Sequence, residues 1–307
     1  MRNAFAREIK ALASQDPSIV LLSGDIGNRL FDEYKASFPN RFYNCGVAEA
    51  NMIGVAAGLA MSGLRPVCYT ITPFITYRCL EQIRIDVSYH DVPVVIVGTG
   101  SGLSYASLGA THHSCDEMGM LRLMPNLTVL APADEVEVRL GLKAALDHPH
   151  PSYMRIGKKG EPVVHKNSPS FSIGKVIKVR EGRSVCLLST GTILPVAVEA
   201  AELLEKKGVS AAVFSMPFVK PLDEEFLEKA FSQYDVVATI EEHSVLGGLG
   251  GSIAEWSSDH WNSKANLIRF GTRDEFLHIT CDQEKARQYY GLTPNDISSR
   301  ICEKHNV

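Results

Sequence analysis

The stretch NCGVAEANMIGVAAGLAMS, residues 44–62, decides how this chain folds. A short turn around Gly46 leads into a run of about 13 residues, from Ala50 to Ser62, that contains no charged side chain. A helix that is apolar or small on every face is a buried helix, and one this short cannot span a membrane, which needs roughly 20 residues. Glu49 stands at its start. The sequence therefore predicts a buried helix with one carboxylate at its N-terminus.

Two interpretations of Glu49 follow from this position. In the structural one, it is a helix-start acid that interacts favourably with the helix macrodipole. In the second, Glu49 is a functional group. Burial favours this interpretation, because an unpaired buried carboxylate is costly and holds its proton more tightly. Such a group is suited to sharing a proton with a ligand nitrogen, so Glu49 is a candidate catalytic residue.

The composition is that of a globular protein of 307 residues, with 45% hydrophobic and 21% charged residues. A net charge of −4 argues against a nucleic-acid partner or an anionic membrane surface. No apolar stretch is long enough to span a membrane. The seven cysteines are odd in number and lack C-x-x-C spacing, which favours free thiols in a reducing compartment. We expect a cytoplasmic protein.

Strands and helices alternate along the chain, which predicts an α/β fold. Apolar strands are predicted over 19–25, 65–70, 92–99 and 127–131, with helices over 3–14 and 81–89 and after Asp134, a candidate N-cap. Because these strands are apolar throughout, they fit a parallel sheet that is covered on both faces.

A polar segment broken by prolines lies within residues 157–172 and separates two domains. We place the first domain at 1–160, the linker at 161–172 and the second domain at 173–307. The second domain repeats the alternation, with strands predicted over 184–190, 210–215, 235–241 and 266–270 and helices over 193–207, 223–232, 249–258, 284–290 and 295–304. The predicted fold is two α/β domains, each with a mostly parallel sheet flanked by helices.

One strand end in the second domain carries charge, the sequence Glu241-Glu242-His243. Ligands often bind at strand ends in α/β sheets, which makes these residues a possible site. Solvated charges at a capped strand end are the interpretation that we favour.

Several motifs resemble thiamine diphosphate enzymes of the transketolase and 1-deoxyxylulose-5-phosphate synthase branch. Residues 46–49 (GVAE) resemble the G-[IV]-x-E segment of that family, and 109–113 (GATHH) are similar to its G-x-T-H-x segment. Residues 185–208 and 218–225 resemble its C-terminal domain. The resemblance runs from Arg2 to about Ser258. It implies a pyrimidine-binding domain followed by a transketolase C-terminal domain, with thiamine diphosphate as the cofactor.

The same resemblance implies which residues contact the cofactor. Glu49 would bond to the ring nitrogen of its pyrimidine. An aromatic side chain of the segment TPFITYRCLEQIR (72–84) would stack on that ring, with Phe74 the first candidate and Tyr77 the second. Arg78 in this segment and Asp25 in SGDIG are further candidates for cofactor contacts.

The resemblance also implies a substrate site around His112, which in this family faces the thiazolium and the substrate. Its neighbour His113 is assigned to the same site. A metal held by this pair is disfavoured because no Cys, Asp or His recurs nearby at zinc-ligand spacing. Four basic residues match anion-contact positions of the family, and guanidinium groups suit phosphate. They are Arg2, Arg122, Arg155 and Lys158.

The sequence contains no G-D-G motif, the segment that, together with a later Asn, binds Mg²⁺ and the diphosphate in these enzymes. Met1 stands directly before Arg2, so we expect the C-terminal subunit of a split transketolase. An N-terminal subunit with the G-D-G…N motif would then hold Mg²⁺, most simply in an α₂β₂ heterotetramer.

Two departures from the family pattern concern the donor. Transketolases acting on sugar phosphates have Asp two residues before the Pro of D-G-P-T-H, where this chain has Leu108, and a His near Gly100 that is absent here. An ordinary pentose phosphate is therefore a disfavoured donor. We expect transfer of a two-carbon ketol unit from a phosphorylated or modified ketose to an aldose.

Three alternatives stay open. The chain is compatible with the β subunit of a 2-oxo acid dehydrogenase or with a carboligase similar to deoxyxylulose phosphate synthase. It is also compatible with a non-catalytic α/β partner subunit, although Glu49 and His112 argue against that.

Overall fold

The apolar runs of the sequence form strands in two separate sheets. They are described by a computed structural model that covers residues 1–26, 29–260 and 265–305. The strands are β1 (Ile19–Ser23), β2 (Phe42–Asn44), β3 (Arg65–Ile71), β4 (Val95–Thr99), β5 (Thr128–Leu130), β6 (Ser152–Ile156), β7 (Ile177–Arg180), β8 (Val185–Ser189), β9 (Ala211–Ser215), β10 (Phe218–Lys220), β11 (Val236–Ser244) and β12 (Asn266–Thr272).

Helices cover both faces of the sheets. The α-helices are α1 (Arg2–Gln15), α2 (Asp32–Ser37), α3 (Glu49–Met61), α4 (Thr72–Thr76), α5 (Leu80–Gln82), α6 (Glu117–Leu121), α7 (Glu135–Asp147), α8 (Leu194–Lys206), α9 (Glu224–Gln233), α10 (Leu249–Asp259), α11 (Gln283–Tyr289) and α12 (Pro294–His305). The predicted helix over 81–89 is instead the short α5 followed by a π-helical segment, Ile83–Tyr89. As predicted, Asp134 caps α7 by accepting hydrogen bonds from the backbone N–H groups of Val136 and Glu137.

The first sheet has the strand order β10-β5-β6-β4-β3-β1-β2, and its neighbours are parallel except for β10. The second sheet has the order β12-β11-β8-β9-β7, parallel except for β7. Strands β1, β4, β6, β8 and β9 are buried along their whole length. Burial on both faces explains their continuous apolar sequences. The predicted fold class, two α/β domains with mostly parallel sheets, is confirmed.

The two sheets do not divide the chain at a single point. β10 belongs to the second half of the sequence but pairs antiparallel with β5 of the first sheet. The stretch between β6 and β7, which the structure describes in full and where the linker is predicted, contains no helix or strand. This segment is nevertheless anchored, because the Asp134 carboxylate accepts from the N–H groups of Val164 and His165, each at 2.9 Å.

Helix α3 differs from the expectation that every face is buried. Met52, Ile53 and Ala56 are buried, but Val55 is 43% exposed and Met61 is 55% exposed. The π-helical segment packs beside α3 and adds exposed apolar side chains of its own. An apolar stretch does not by itself distinguish a core-facing side from a side that a partner covers. We call the exposed apolar residues here the α3 surface: Val47, Val55, Met61, Ile85 and Tyr89.

Within the described ranges, no helix is both long enough and apolar enough to span a membrane.

Candidate cofactor site

The predicted cofactor residues lie at the carboxyl ends of β1 and β3. These strands are neighbours, and the chain leaves β1 toward β2 on one side of the sheet and returns to β3 on the other. Such a reversal creates a crevice where ligands bind in open α/β sheets. Gly24 follows β1, and a Cβ there would lie 2.8 Å from Thr70 Oγ1 and 3.5 Å from Glu49 Oε1. The absence of a side chain at Gly24 therefore lets the end of β1 approach both residues.

Glu49 is brought to this crevice by the turn that precedes α3. Gly46 has φ +69°, a conformation that favours glycine, and its N–H donates to Asn44 Oδ1 at 2.9 Å. The Gly46 carbonyl accepts from the Asp25 N–H at 2.9 Å. The turn thus ties exposed Asp25 to the segment that carries Glu49.

The Glu49 carboxylate is buried, with 3% of the residue exposed, but it is not unpaired as expected from the sequence. Arg78 Nη1 donates to its Oε2 at 3.0 Å. The same guanidinium lies over the Phe74 ring, with its carbon 4.5 Å from the ring centroid. Phe74 in turn meets the His112 ring edge to face, at 5.2 Å between centroids. Four predicted site residues therefore form one continuous set of contacts.

This arrangement fits the aminopyrimidine of thiamine diphosphate. The Arg78 guanidinium is a planar cation that stacks on Phe74 and donates a hydrogen bond to Glu49. An aminopyrimidine ring requires the same two contacts, an aromatic face and a carboxylate acceptor for a ring N–H. Glu49 and Phe74 are thus spaced for a flat, nitrogen-bearing ring.

The two adjacent histidines of the next loop face different directions. His112 Nδ1 lies 3.0 Å from the Thr111 hydroxyl, and its ring centroid lies 6.1 Å from that of Tyr105. Burial, and secondarily the neighbouring His113, lowers the pKa of His112, so its imidazole is neutral near pH 7. His113 is buried, with Nε2 3.3 Å from the Ala106 carbonyl. Of the two, His112 is therefore the one that faces the cofactor crevice.

A basic cluster lies beyond Tyr105. Lys158 Nζ is 5.1 Å from the Tyr105 ring centroid and donates to the Ser104 carbonyl at 3.3 Å. Burial raises the pKa of the Tyr105 hydroxyl, and the positive charge of nearby Arg2 opposes the rise. Two of the four predicted anion contacts, Arg2 and Lys158, thus lie together near His112. Tyr105, which joins them, belongs to none of the motifs that indicated the site.

The other two predicted anion contacts are engaged elsewhere. Arg155 is 4% exposed, with Nη1 3.2 Å from the Glu117 carboxylate and Nη2 donating to the Glu242 carbonyl at 2.6 Å. Arg122 donates to the Gly247 carbonyl at 2.7 Å and forms a bidentate pair with Glu255. Both arginines join the first domain to the second. Binding an anion at either arginine would require these buried or bidentate pairs to break, and their role as anion contacts stays a prediction.

Tyr77 and Leu108 are not part of the set of contacts around Glu49 that is described above. The Tyr77 hydroxyl donates to Asp116, and Tyr77 and His113 line a cavity of ≈ 510 Å³ between the two domains. Leu108 is exposed in a short 3₁₀ turn, Ala106–Leu108. Among the described residues, no group of three or more His, Cys, Asp and Glu side chains is placed to hold a metal ion.

The charged strand end in the second domain is buried, which corrects the solvated arrangement expected from the sequence. Glu241 accepts from the N–H groups of Leu249 and Gly250 at 2.8 and 2.7 Å, and burial raises its pKa to about 7. His243 Nε2 accepts from the Gly119 N–H at 3.2 Å, and burial lowers its pKa to about 3. Backbone partners outside the strand make burial of these groups possible.

Comparisons with known proteins agree with this geometry. Residues 1–161 match the model of the transketolase pyrimidine-binding domain, and residues 174–297 match that of the transketolase C-terminal domain. The chain is 32% identical to one subunit of the apulose-4-phosphate transketolase of Phocaeicola vulgatus, covering 92% of this chain and 94% of that protein. It is 33% identical to 6-deoxy-6-sulfo-D-fructose transketolase subunit SqwH of Clostridium sp., covering 100% and 95%.

A solved structure described as a split gene transketolase, inactive beta4 tetramer, superposes with a TM-score of 0.91 at 33% identity, covering 98% of this chain and 97% of that one. 1-Deoxy-D-xylulose-5-phosphate synthases are also related to the chain. The two domain matches together cover nearly the whole sequence, in the order that the two sheets follow. The chain belongs to the transketolase family.

Proposed function

We propose that this chain is the C-terminal subunit of a two-chain transketolase that transfers a two-carbon ketol unit between a ketose and an aldose. The observation that carries the proposal is the shared contact of Glu49 and Phe74 with one planar cation, beside the His112 ring. When bound, thiamine diphosphate supplies the electron sink for breaking and forming the C–C bond. The protein supplies binding, orientation and proton placement.

Each residue has a definite task in this proposal. Glu49 holds a proton at the pyrimidine ring nitrogen, Phe74 stacks on the ring, and Arg78 and Asp25 border it. His112 is neutral near pH 7, so its N–H can donate to the oxygen of a substrate carbonyl as negative charge develops there. Behind it, two further predicted residues have supporting tasks: His113 holds the back of the loop, and Tyr77 braces it through Asp116.

The proposed partner is an N-terminal transketolase subunit that carries the G-D-G…N motif and holds Mg²⁺, in an α₂β₂ assembly. The α3 surface supports this, because an exposed apolar face beside the Glu49 crevice suits a protein partner. Two relatives are named as transketolase subunits and one solved structure as a split gene transketolase, which agrees with division into two chains.

We infer a cytoplasmic location from the cysteines. All seven are free, and none forms a disulfide. Four of them, Cys68, Cys79, Cys186 and Cys302, are buried in the cores of the two domains. A reducing compartment suits this pattern.

Reconstitution tests the proposed function. The chain is mixed with a candidate partner that carries G-D-G…N, together with thiamine diphosphate and Mg²⁺, and ketol transfer is followed with a panel of ketose donors and aldose acceptors. We expect transfer that requires all four components. Release of CO₂ from a 2-oxo acid, with no ketol transfer, would refute it.

Lys158 and Arg2 are expected to bind the anionic end of the substrate. Lys158→Ala should raise KM for a phosphorylated or sulfonated ketose by about tenfold with little change in kcat, because a charged hydrogen bond contributes roughly 1.5–3 kcal/mol. Arg2→Ala should act in the same direction. Steady-state kinetics of the reconstituted pair measures both.

Lys159→Ala is the matched control, since this lysine is exposed and adjacent. The same tenfold rise with an uncharged ketose would contradict an anion role for Lys158.

Leu108 is expected to shape donor choice. An apolar side chain cannot pair with a donor hydroxyl, and a hydroxyl buried without a partner costs about 1–3 kcal/mol. The wild-type pair should therefore use a deoxy or otherwise modified ketose better than xylulose 5-phosphate. The relatives named for apulose 4-phosphate and 6-deoxy-6-sulfo-D-fructose support this direction.

Leu108→Asp should raise the relative kcat/KM for xylulose 5-phosphate by about tenfold, since one new hydrogen bond of this type is involved. Ser107→Asp places the same charge on the exposed neighbour and serves as control. If xylulose 5-phosphate were the best donor of the wild-type pair, the inference from Leu108 would be wrong.

A further inference from the structure

The loop that carries His112 is closed at a narrow neck. The Ser114 N–H donates to the Gly102 carbonyl at 3.1 Å, which joins the two ends of the segment between them. Gly102 has φ +55°, and a Cβ there would lie 2.5 Å from the Cβ of Glu242. The neck therefore packs directly on a residue of the second domain, and only glycine fits this close approach.

Glu242 binds the neck through its side chain. Its Oε2 accepts from the N–H of Leu103, the first residue of the loop, at 3.1 Å. The carboxylate is buried, with 3% of the residue exposed, and it is held from its own domain by Arg287 Nε at 2.5 Å and Gln283 Nε2 at 2.9 Å. The Glu242 backbone carbonyl accepts from Arg155 Nη2 at 2.6 Å. The side chain is thus fixed on several sides before it meets the loop.

Short backbone hydrogen bonds continue from the neck to His112. The Ala106 N–H donates to the Leu103 carbonyl at 2.9 Å, and the Leu108 N–H donates to the Tyr105 carbonyl at 2.8 Å. The His112 N–H then donates to the carbonyl of the glycine three residues before it at 2.9 Å. Successive turns of this kind connect the backbone of Leu103 to the backbone of His112.

We propose that Glu242 is a positioning residue, whose carboxylate fixes the neck of the loop from the second domain and so orients His112 toward Phe74. This assigns the C-terminal domain a part in building the active site, although the crevice described above is formed by residues of the first domain. The catalytic meaning of the proposal rests on the proposed function, but the orientation of His112 can be measured without turnover.

Glu241 provides a matched control on the same strand. It is also buried and also accepts backbone hydrogen bonds, but its partners, Leu249 and Gly250, lie within its own domain. Glu241→Gln therefore perturbs a buried carboxylate of β11 without touching the loop. Glu242→Gln keeps the shape of the side chain but loses the charge that pairs with Arg287.

The experiment compares the full-length chain, Glu242→Gln and Glu241→Gln, each labelled with ¹⁵N-histidine, by NMR titration of His112. The His112 resonance is identified with a His112→Gln variant. Burial holds the pKa of His112 below its usual value. In Glu242→Gln it should rise toward about 6.5 as the loop loosens. In Glu241→Gln it should stay as in the wild type.

Kinetics of the pair reconstituted with the partner subunit gives the second readout. Glu242→Gln should lower kcat by about ten- to hundredfold with KM changed less than about twofold, because misplacing a catalytic group by about 1 Å has an effect of this order. Glu241→Gln should keep the kcat of the folded fraction near that of the wild type. Loss of protein stability alone would not separate the two variants in this way.

Gln283→Ala is a milder variant that removes one donor to Glu242 and keeps the charge of the Glu242 carboxylate. If Glu242→Gln fails to fold, this variant tests the positioning role instead. It should shift the His112 titration in the same direction by a smaller amount. An unchanged His112 titration in a folded Glu242→Gln or Gln283→Ala protein, or an equal shift in Glu241→Gln, would overturn the proposal. If no pair transfers ketol units, the proposed function fails, while the NMR titration still tests the positioning role.

Discussion

Glu49→Gln is expected to abolish turnover by the reconstituted enzyme while the variant still folds and assembles. Gln retains a carbonyl oxygen that can accept from Arg78, so the buried contact is kept. An amide cannot exchange a proton with the pyrimidine ring nitrogen, however. A positioned proton-transfer group contributes typically about 10²–10⁴-fold, so the loss in kcat should be at least about a hundredfold.

Measurement requires both kcat and the state of assembly, the latter from analytical ultracentrifugation. Glu81→Gln, at an exposed position near Arg78 in the sequence, is the matched control and should keep kcat within about twofold, since surface substitutions have small effects. Near-normal turnover by a folded, assembled Glu49→Gln enzyme would end the assignment of Glu49 to the cofactor.

The chain alone is expected to show no ketol transfer and to bind thiamine diphosphate too weakly to detect by calorimetry at micromolar concentrations. The crevice offers the pyrimidine a stacking face on Phe74 and one carboxylate, Glu49, which Arg78 already contacts. The family resemblance implies that a G-D-G…N segment holds the anionic diphosphate with Mg²⁺, and this sequence contains no G-D-G. Addition of the partner should restore both binding and activity.

A substitution in the α3 surface tests directly whether the partner subunit binds there. Val55→Asp puts a charge where an apolar contact is proposed and should prevent assembly and activity together. Val163→Asp is the matched control, because Val163 is 52% exposed, close to the 43% of Val55, but lies outside the α3 surface. Micromolar cofactor binding and turnover by the isolated wild-type chain would overturn the two-chain model.

The core of each sheet could be predicted from the sequence because its strands are apolar on both faces. β1, β4 and β8 are examples in which a continuous apolar run coincides with a fully buried strand. Strands β2 and β10, of three residues each, have no comparable signal in the sequence. Such short strands exist because a neighbouring strand pairs with them, and β10 pairs with β5, which lies far earlier in the chain.

The candidate site divides in a similar way. Glu49, Phe74 and His112 belong to local motifs that could be recognised as a resemblance, and the structure brings them into one set of contacts. Their roles toward the cofactor remain predictions. The part played by Tyr105 had no signal in the sequence, since an aromatic residue in a loop is usually a packing residue.

The surroundings of the four predicted basic residues could not be read from the sequence. All four are candidates for anion contacts, and the local sequence around them does not distinguish one candidate from another. In the structure, Arg155 meets Glu117 and the Glu242 carbonyl, while Arg122 meets a backbone carbonyl and a carboxylate of the second domain. A guanidinium that is largely removed from water must be paired, and these partners come from distant parts of the sequence.

Two properties of this protein can be read from local sequence: its two α/β domains, and a nearly uncharged helix with a carboxylate at its start. Both depend on apolar periodicity, which is a property of neighbouring positions along a chain. Three others arise only from packing in three dimensions, namely the pairing of Glu49, the exposed face of α3 and the contact of Glu242 with the His112 loop. The first and the third depend on groups that meet across large sequence separations, 29 residues for Glu49 and Arg78 and 139 for the Leu103 N–H and Glu242. Hydrogen bonding and desolvation act between such neighbours in space, whatever their distance along the chain.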